Sequence, residues 1–223
     1  MESEREALGV LLAEQLRQQM NNLAAAVQLL TPVVREKGGE QYDPYLAILQ
    51  QSLYRMMRMV GNLEYLELAP EDAPPRAATL DLSGLCRELA RQVAPLAELA
   101  GVRFRWEEGD GVLLLRGDGQ QLRRMLLNLV ANALRAAGEG GQAGMRLSAR
   151  DGRAAVTVWD SGQGFDPEPG EEELLLRPGS LGVGLQVARR IASAHGGTIV
   201  FQHQEGKGTR AVVSLPLRPP EGQ

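Results

Sequence analysis

Two glycine-bearing turns in the second half of the sequence could let backbone approach a ligand closely. Asp160 ends the apolar run "AAVTVWD" and is followed by Gly162 and Gly164. Further along, Gly182 and Gly184 open a helical pattern. Glycine permits close approach, and a helix start offers free N–H groups and a positive dipole end to an anion. Together with a third turn, "GKGT", these features predict a phosphate-bearing ligand.

A polar stripe marks one face of an otherwise apolar helix, "LRRMLLNLVANALRAA". Asn128, Asn132 and Arg135 fall at positions i, i+4 and i+7, so they share one face. Amide oxygens and a cation on one face suit Mg²⁺ and phosphate. An ordinary solvated face is an equally good interpretation of this helix taken alone.

These residues lie in a region where strands arrive mostly in pairs between helices. The expected strands are "TLDL", "VRFRW", "VLLLR", "GMRLSAR", "AAVTVWD" and a closing hairpin, with helices over 83–100, 119–137 and 182–195. This order favours one mixed sheet with helices on one face over a doubly wound parallel fold.

The first 70 residues predict two helices with apolar residues at steps of three and four. The first seam comprises Leu12, Leu16, Met20, Leu23, Val27, Leu30 and Val34, and the second comprises Leu46, Leu49, Leu53, Met56, Val60 and Leu63. "KGGEQYDP" separates the helices, which predicts an antiparallel hairpin, and Pro32 predicts a kink. Because two helices cannot enclose a core, we expect a homodimer through a four-helix bundle; the alternative is packing on the rest of the same chain.

The fold class is therefore α+β: a helical hairpin over 1–70, then an α/β two-layer sandwich with a mixed sheet over 71–223. Three prolines in residues 69–77 mark the linker between them. A net charge of −4 gives no basic footprint for nucleic acid, and no apolar run has the length of a membrane span. We expect a cytoplasmic chain, in which the single cysteine, Cys86, is a buried small residue.

Four motifs in order resemble those of sensor histidine kinases. "NLVANALR", "DSGQG", "LGVGLQVARRIASAHGG" and "GKGT" are similar to the Asn box and the three glycine boxes of their ATP-binding domain, which type II topoisomerases and heat-shock chaperone ATPases share. "LYRMMRMVGNLEYLEL" resembles the second helix of the family's dimerisation hairpin. The similarity to the ATP-binding domain spans residues 77–217, and the hairpin helix extends the resemblance over nearly the whole chain.

The resemblance implies a site for ATP and Mg²⁺. Asp160 would accept a hydrogen bond from the adenine amino group, with Gly162 and Gly164 leaving room for the base. Asn132 would bind Mg²⁺, supported by Asn128, and Arg135 would contact phosphate. The remaining implied nucleotide contacts come from Gly182, Gly184, Leu185 and Thr209. A lid between residues 165 and 181 is also implied.

The sequence departs from the family at the phosphoacceptor. Where the first helix of the family carries a histidine, this chain has Glu14, and the hairpin contains no histidine. His195 ends a helix, where a cation favours the dipole, and His203 belongs to the closing hairpin. The implied lid is acidic, and Ser180 stands where the first glycine of the second glycine box would be. The missing histidine argues against autophosphorylation.

Three functions follow as hypotheses. The first is a histidine-kinase-type signalling protein that binds Mg-ATP and pairs with a response regulator or a partner kinase. The second is a catalytically silent dimerisation and interaction module. The third, an ATP hydrolase or serine kinase, is disfavoured because the position of the general base in those relatives is Asn128, which cannot take a proton.

Overall fold

The structure, a computed structural model, describes residues 2–68, 76, 78–109, 111–162, 183–204 and 208–217. The chain divides into two compact units, Met1–Ala73 and Pro74–Gln223. The predicted linker and the predicted lid lie outside the described residues, apart from Arg76. Each unit is described by itself.

The first unit is an antiparallel helical hairpin. Helix α1 (Glu2–Gly38) and helix α2 (Asp43–Leu68) are joined by a 3-10 turn. Gln50 donates to Thr31 Oγ1, and Arg35 pairs with Asp43. These cross-helix pairs show that the two helices run antiparallel. Helix α1 runs through Pro32, and a kink there stays a prediction.

Much of the predicted seam is exposed in the single chain. Val27, Leu46 and Leu53 are buried between the two helices. In contrast, Leu23 is 47% exposed and Leu30 is 57% exposed. Two helices cannot cover every side of their own apolar stripes, so the hairpin leaves large apolar side chains open to water.

The second unit contains seven strands and three helices among its described residues. The elements, in chain order, are β1 (Ala78–Asp81), α3 (Leu82–Leu99), β2 (Arg103–Glu107), β3 (Leu114–Gly117), α4 (Gly119–Ala137), β4 (Gln142–Arg150), β5 (Arg153–Asp160), α5 (Val183–Ala194), β6 (Thr198–Gln204) and β7 (Gly208–Pro216). Together with the hairpin they confirm the α+β fold class.

Five of these strands form the mixed sheet, in the order β2-β4-β5-β7-β6. Strands β2 and β4 are parallel, and the other neighbours are antiparallel. The expectation of one sheet is corrected by β1 and β3, which form a separate antiparallel pair. Ser83 supports this pairing, because its hydroxyl accepts from Leu113 N and donates to Gly111 O, which ties the start of α3 to the chain entering β3.

Alternation along the strands decides which face of the sheet the helices cover. Every second residue of β5 is buried, including Val156 and Val158, and Met145 of β4 and Val213 of β7 join them. The three helices pack on this face, as the sequence predicted. The opposite face has no helix from the described part of this unit.

Candidate functional site beside the end of strand β5

Asp160 is a nearly buried carboxylate at the end of β5, with 7% of its surface exposed. Its Oδ1 accepts a hydrogen bond from Gly162 N at 2.9 Å and a longer one from Thr209 N at 3.4 Å. Ser161 fixes the turn that follows, because its hydroxyl accepts from Gln142 N at 2.9 Å and its N–H donates to Gln142 O. The carboxylate is thus held in one orientation at the strand end.

Gly162 and Gly208 allow backbone segments to meet around this carboxylate. A Cβ on Gly162 would lie 2.2 Å from the Ala136 carbonyl oxygen at the end of α4. A Cβ on Gly208 would lie 1.9 Å from the Asp160 carbonyl oxygen, and Gly208 has a φ of +82°. Side chains at these positions are excluded by the protein's own backbone. Gly162 was predicted to make room for a base, which stays a prediction; the structure shows that a side chain there would clash with the backbone of α4.

Thr209 places a buried hydroxyl without a partner beside the carboxylate. The residue is 5% exposed, and among the described residues its Oγ1 has no hydrogen-bond partner. A buried hydroxyl left unpaired costs about 1–3 kcal/mol. Such a group, next to a carboxylate that also faces inward, is what a site for a polar ligand requires.

Helix α4 brings the Asn-bearing stripe to the same strand ends. Asp118 caps its start by accepting from Gln120 N and Gln121 N. Asn128 has none of its surface exposed, which excludes an ordinary solvated stripe. Asn132 lies one turn later and is half-buried. Because Gly162 contacts the last turn of α4, the C-terminal end of the stripe lies near Asp160.

Arg135 is exposed at the end of this stripe, and its Nη2 donates to Asn132 Oδ1 at 3.2 Å. An amide oxygen that accepts from one cation retains a second lone pair. The described residues contain no group of three His, Cys, Asp or Glu side chains that could hold a metal. This donor set fits Mg²⁺, which is typically bound by one or two protein oxygens together with phosphate oxygens and water.

Helix α5 begins beside the predicted glycine turn. Gly184 lies in its first turn and is half-buried, and Leu185 is buried in the core. Gly164 and Gly182, the other two glycines predicted for the site, lie outside the described residues. The first turn of α5 supplies backbone N–H groups and a positive dipole end.

His195 connects the far end of α5 to the start of α4. Its Nε2 accepts from Asp118 N at 3.0 Å, and its Nδ1 lies 2.8 Å from Ile191 O. An accepting Nε2 is unprotonated, so Nδ1 carries the proton and donates to Ile191 O. The expectation of a cation at this helix end is therefore corrected: the ring is neutral. Sequence reasoning missed the link to Asp118, and the "HGG" turn was its only signal.

Comparison with known proteins identifies the class of this domain. Residues 117–219 match the family described as histidine kinase-, DNA gyrase B-, and HSP90-like ATPase. The alginate biosynthesis sensor protein KinB of Pseudomonas aeruginosa is 30% identical over 77% of this chain and 28% of its own length. The histidine protein kinase DivJ of Caulobacter vibrioides is 25% identical over 92% of this chain and 36% of its own length.

Comparison with solved structures also finds histidine kinases. Full-length ShkA in complex with AMPPNP has a TM-score of 0.67 at 25% identity, covering 96% of this chain and 46% of ShkA. The catalytic domain of histidine kinase ThkA has a TM-score of 0.56 at 26% identity, covering 63% of this chain and 95% of that domain.

The chain therefore carries a domain of this ATPase family, and its relatives are sensor histidine kinases. The resemblance that four sequence motifs predicted is confirmed. The chain spans well under half the length of the curated relatives named above. None of the described helices has the length and apolar character to cross a membrane.

Proposed function

We propose that this chain is the dimerisation and nucleotide-binding part of a histidine-kinase-type two-component signalling protein, and that it binds Mg-ATP beside the end of β5. The observation that carries this proposal is the pair formed by the Asp160 carboxylate and the Thr209 hydroxyl, both buried, the hydroxyl having no hydrogen-bond partner among the described residues. An amino group that donates to one and a ring nitrogen that accepts from the other would satisfy both. Adenine presents those two groups side by side.

The other residues act on the phosphates and the metal ion. Asn132 would supply an amide oxygen to Mg²⁺, which neutralises phosphate charge when bound. Arg135 is exposed, so it can turn from Asn132 to a phosphate oxygen. Gly164 would leave room for the base, Gly182 and Gly184 would leave backbone open around the triphosphate, and Leu185 would be a further contact in the same turn. Since ATP is a cytoplasmic nucleotide, the cytoplasm is the proposed compartment.

The hairpin would pair with a second copy of the chain. Exposed apolar residues such as Leu23, Leu30 and Leu49 recur at the seam spacing, which supports a four-helix bundle between two hairpins. Leu30→Glu should convert the dimer to a monomer in sedimentation equilibrium. Leu99→Glu on α3 is the matched control, because Leu99 is similarly exposed outside the hairpin. A monomeric unmodified chain would contradict the dimer.

Glu14 limits the activity of this chain. Phosphoryl transfer in the family requires a neutral imidazole as nucleophile, and a carboxylate cannot take that role in a stable phosphorelay. Any transfer would have to reach a histidine on a partner chain, or a response regulator through such a partner. The alternative is a catalytically silent module that pairs with a kinase or a regulator. Glu14 is the observation that favours this alternative.

Calorimetric titration with AMPPNP, with and without Mg²⁺, tests the nucleotide site. Asp160→Asn should weaken binding about 10 to 100-fold, since it removes an acceptor worth about 1–3 kcal/mol. Asn132→Ala should make binding independent of Mg²⁺. Asp151→Asn is the matched control, because Asp151 lies on an exposed turn. If the unmodified chain shows no binding, the nucleotide proposal fails and the silent module stands.

A further inference from the structure

The face of the five-stranded sheet that points away from the three helices carries a concentration of arginines. The pairing of the strands and the burial of alternate residues show which side chains point away from the helices. Among the described residues, the outward arginines are Arg103, Arg105, Arg146, Arg150, Arg153 and Arg210. The outward carboxylate on these strands is Glu107. The whole chain has a net charge of −4, so the cationic character belongs to this face and not to the composition.

Three of these arginines have carboxylate or hydroxyl partners. Arg146 pairs with Glu107, Arg150 with Asp151, and Arg153 donates to Ser214. The other three, Arg103, Arg105 and Arg210, are exposed and make no side-chain hydrogen bond or ion pair within the described part of the chain. Within the described residues, three guanidinium groups on one face of the sheet thus have no carboxylate partner, although the chain has more acidic than basic residues.

Trp159 lies between two of the unpaired arginines. The cross-strand register places Arg105 beside Gly144, Gly144 beside Trp159, and Trp159 beside Arg210. A Cβ on Gly144 would lie 2.5 Å from Trp159 Cζ2, so the indole ring lies across the glycine. With strands about 4.8 Å apart, Arg105 and Arg210 are about 14 Å apart across the ring. Because Gly144 has no side chain, the indole ring of Trp159 forms a flat apolar surface between the two arginines.

We propose that this row, Arg105, Gly144, Trp159 and Arg210, together with Arg103, binds an extended carboxylate-rich segment of a separate protein chain. Alternate residues of an extended segment point the same way about 7 Å apart, so acidic side chains four residues apart span about 14 Å. That distance matches Arg105 and Arg210, while Trp159 packs against the residue between them. Trp and Arg are the side chains most often responsible for affinity at protein interfaces.

The surroundings favour a protein partner over a nucleic acid or a membrane. The chain as a whole is negatively charged, which opposes long polyanions at a distance and affects a short acidic segment less. The same face also exposes apolar side chains, including Val200 of the edge strand β6. Mixed apolar and cationic surface of this kind is typical of protein interfaces.

The test uses the full chain and a fluorescein-labelled peptide of twelve alternating glutamate and serine residues. We expect binding that weakens steeply with salt and is lost when glutamine replaces glutamate in the peptide. Arg105→Glu with Arg210→Glu should raise the Kd more than tenfold. Arg91→Glu with Arg116→Glu is the control with the same charge change, at arginines exposed outside this face, and should change the Kd less than twofold.

A second readout follows Trp159 itself. In a Trp106→Phe background, Trp159 is the one tryptophan left, and its fluorescence should change on binding. Where charge reversal prevents folding, Arg105→Gln with Arg210→Gln replaces it, with circular dichroism reporting the fold. The proposal is overturned by an absence of peptide binding up to millimolar concentration or by equal losses in both arginine pairs. It is also overturned if a twelve-nucleotide single strand of thymidines or phosphatidylserine vesicles bind more tightly than the peptide.

Discussion

The backbone N–H of Asp118 donates a hydrogen bond of 3.0 Å to Nε2 of His195, a residue 77 positions further along the chain. Asp118 caps the helix that carries Asn128 and Asn132, and His195 follows the helix that begins beside Gly184. One neutral imidazole thus joins the two helices that carry Asn128, Asn132 and Gly184, the residues proposed to contact the nucleotide.

Replacing His195 should destabilise the second unit. His195→Ala removes a buried ring and orphans the Asp118 N–H, so the free energy of unfolding should fall by about 2–4 kcal/mol in urea denaturation. His195→Gln can place an amide oxygen near the Asp118 N–H and should recover about 1 kcal/mol of that loss. Equal losses for alanine and glutamine would show that the hydrogen bond contributes nothing.

Gly208→Ala should damage both stability and the candidate site. The new Cβ meets the Asp160 carbonyl oxygen, and a φ of +82° adds strain for any side chain. We expect a loss of about 2–5 kcal/mol in thermal or urea unfolding, from left-handed strain and overpacking together. Gly111→Ala is the control, because Gly111 has a φ of +77° with nothing within 4 Å of its Cβ. It should cost about 1–2 kcal/mol, which is the strain alone.

Thr209→Val should separate stability from binding. Valine keeps the shape and removes the unpartnered hydroxyl, so the free chain should gain about 1 kcal/mol in unfolding free energy. AMPPNP affinity should fall about two- to tenfold, because the ligand loses a hydrogen bond. Thr209→Ser keeps the hydroxyl and should retain more of the affinity. A destabilised valine variant would mean that the hydroxyl is satisfied in the free protein.

Glu14→His tests whether the missing nucleophile is what limits phosphorylation. With labelled ATP, the unmodified chain should incorporate no phosphate, and the variant should gain acid-labile label. Gln15→His is the control, since the next helical position points about 100° away. Labelling of the unmodified chain, or equal labelling of both variants, would contradict the role assigned to position 14.

Cys86 predicts a pH dependence of stability. Burial raises the pKa of its thiol from 9.0 to about 12, with Asp81 adding to the shift. Above pH 9 the unfolded chain releases this proton while the folded chain keeps it, so stability is lost as pH rises from about 9 to about 12. At pH 10, this group alone should lower the free energy of unfolding by about 1.4 kcal/mol. Cys86→Ala should lack that part of the slope when both chains are unfolded in urea at pH 8 and pH 10.

The sequence by itself determined features that depend on near neighbours. Helical periodicity predicted the two hairpin helices, and the glycines and Asp160 indicated a candidate site because close backbone approach requires particular residue types. The absence of a histidine near Glu14 can also be read directly from the sequence. The order of four motifs was sufficient to indicate the family.

Tertiary structure decided what depends on residues far apart in the chain. Alternation along a strand shows that it has two faces, but only the register shows that Arg105 and Arg210 flank Trp159 in one row. The structure shows that Asn128 is fully buried and not part of a solvated face, and that the Thr209 hydroxyl has no partner within the described ranges. His195 is neutral because its Nε2 accepts from the N–H of Asp118, which lies 77 residues away in the sequence. No local sequence pattern specifies that donor.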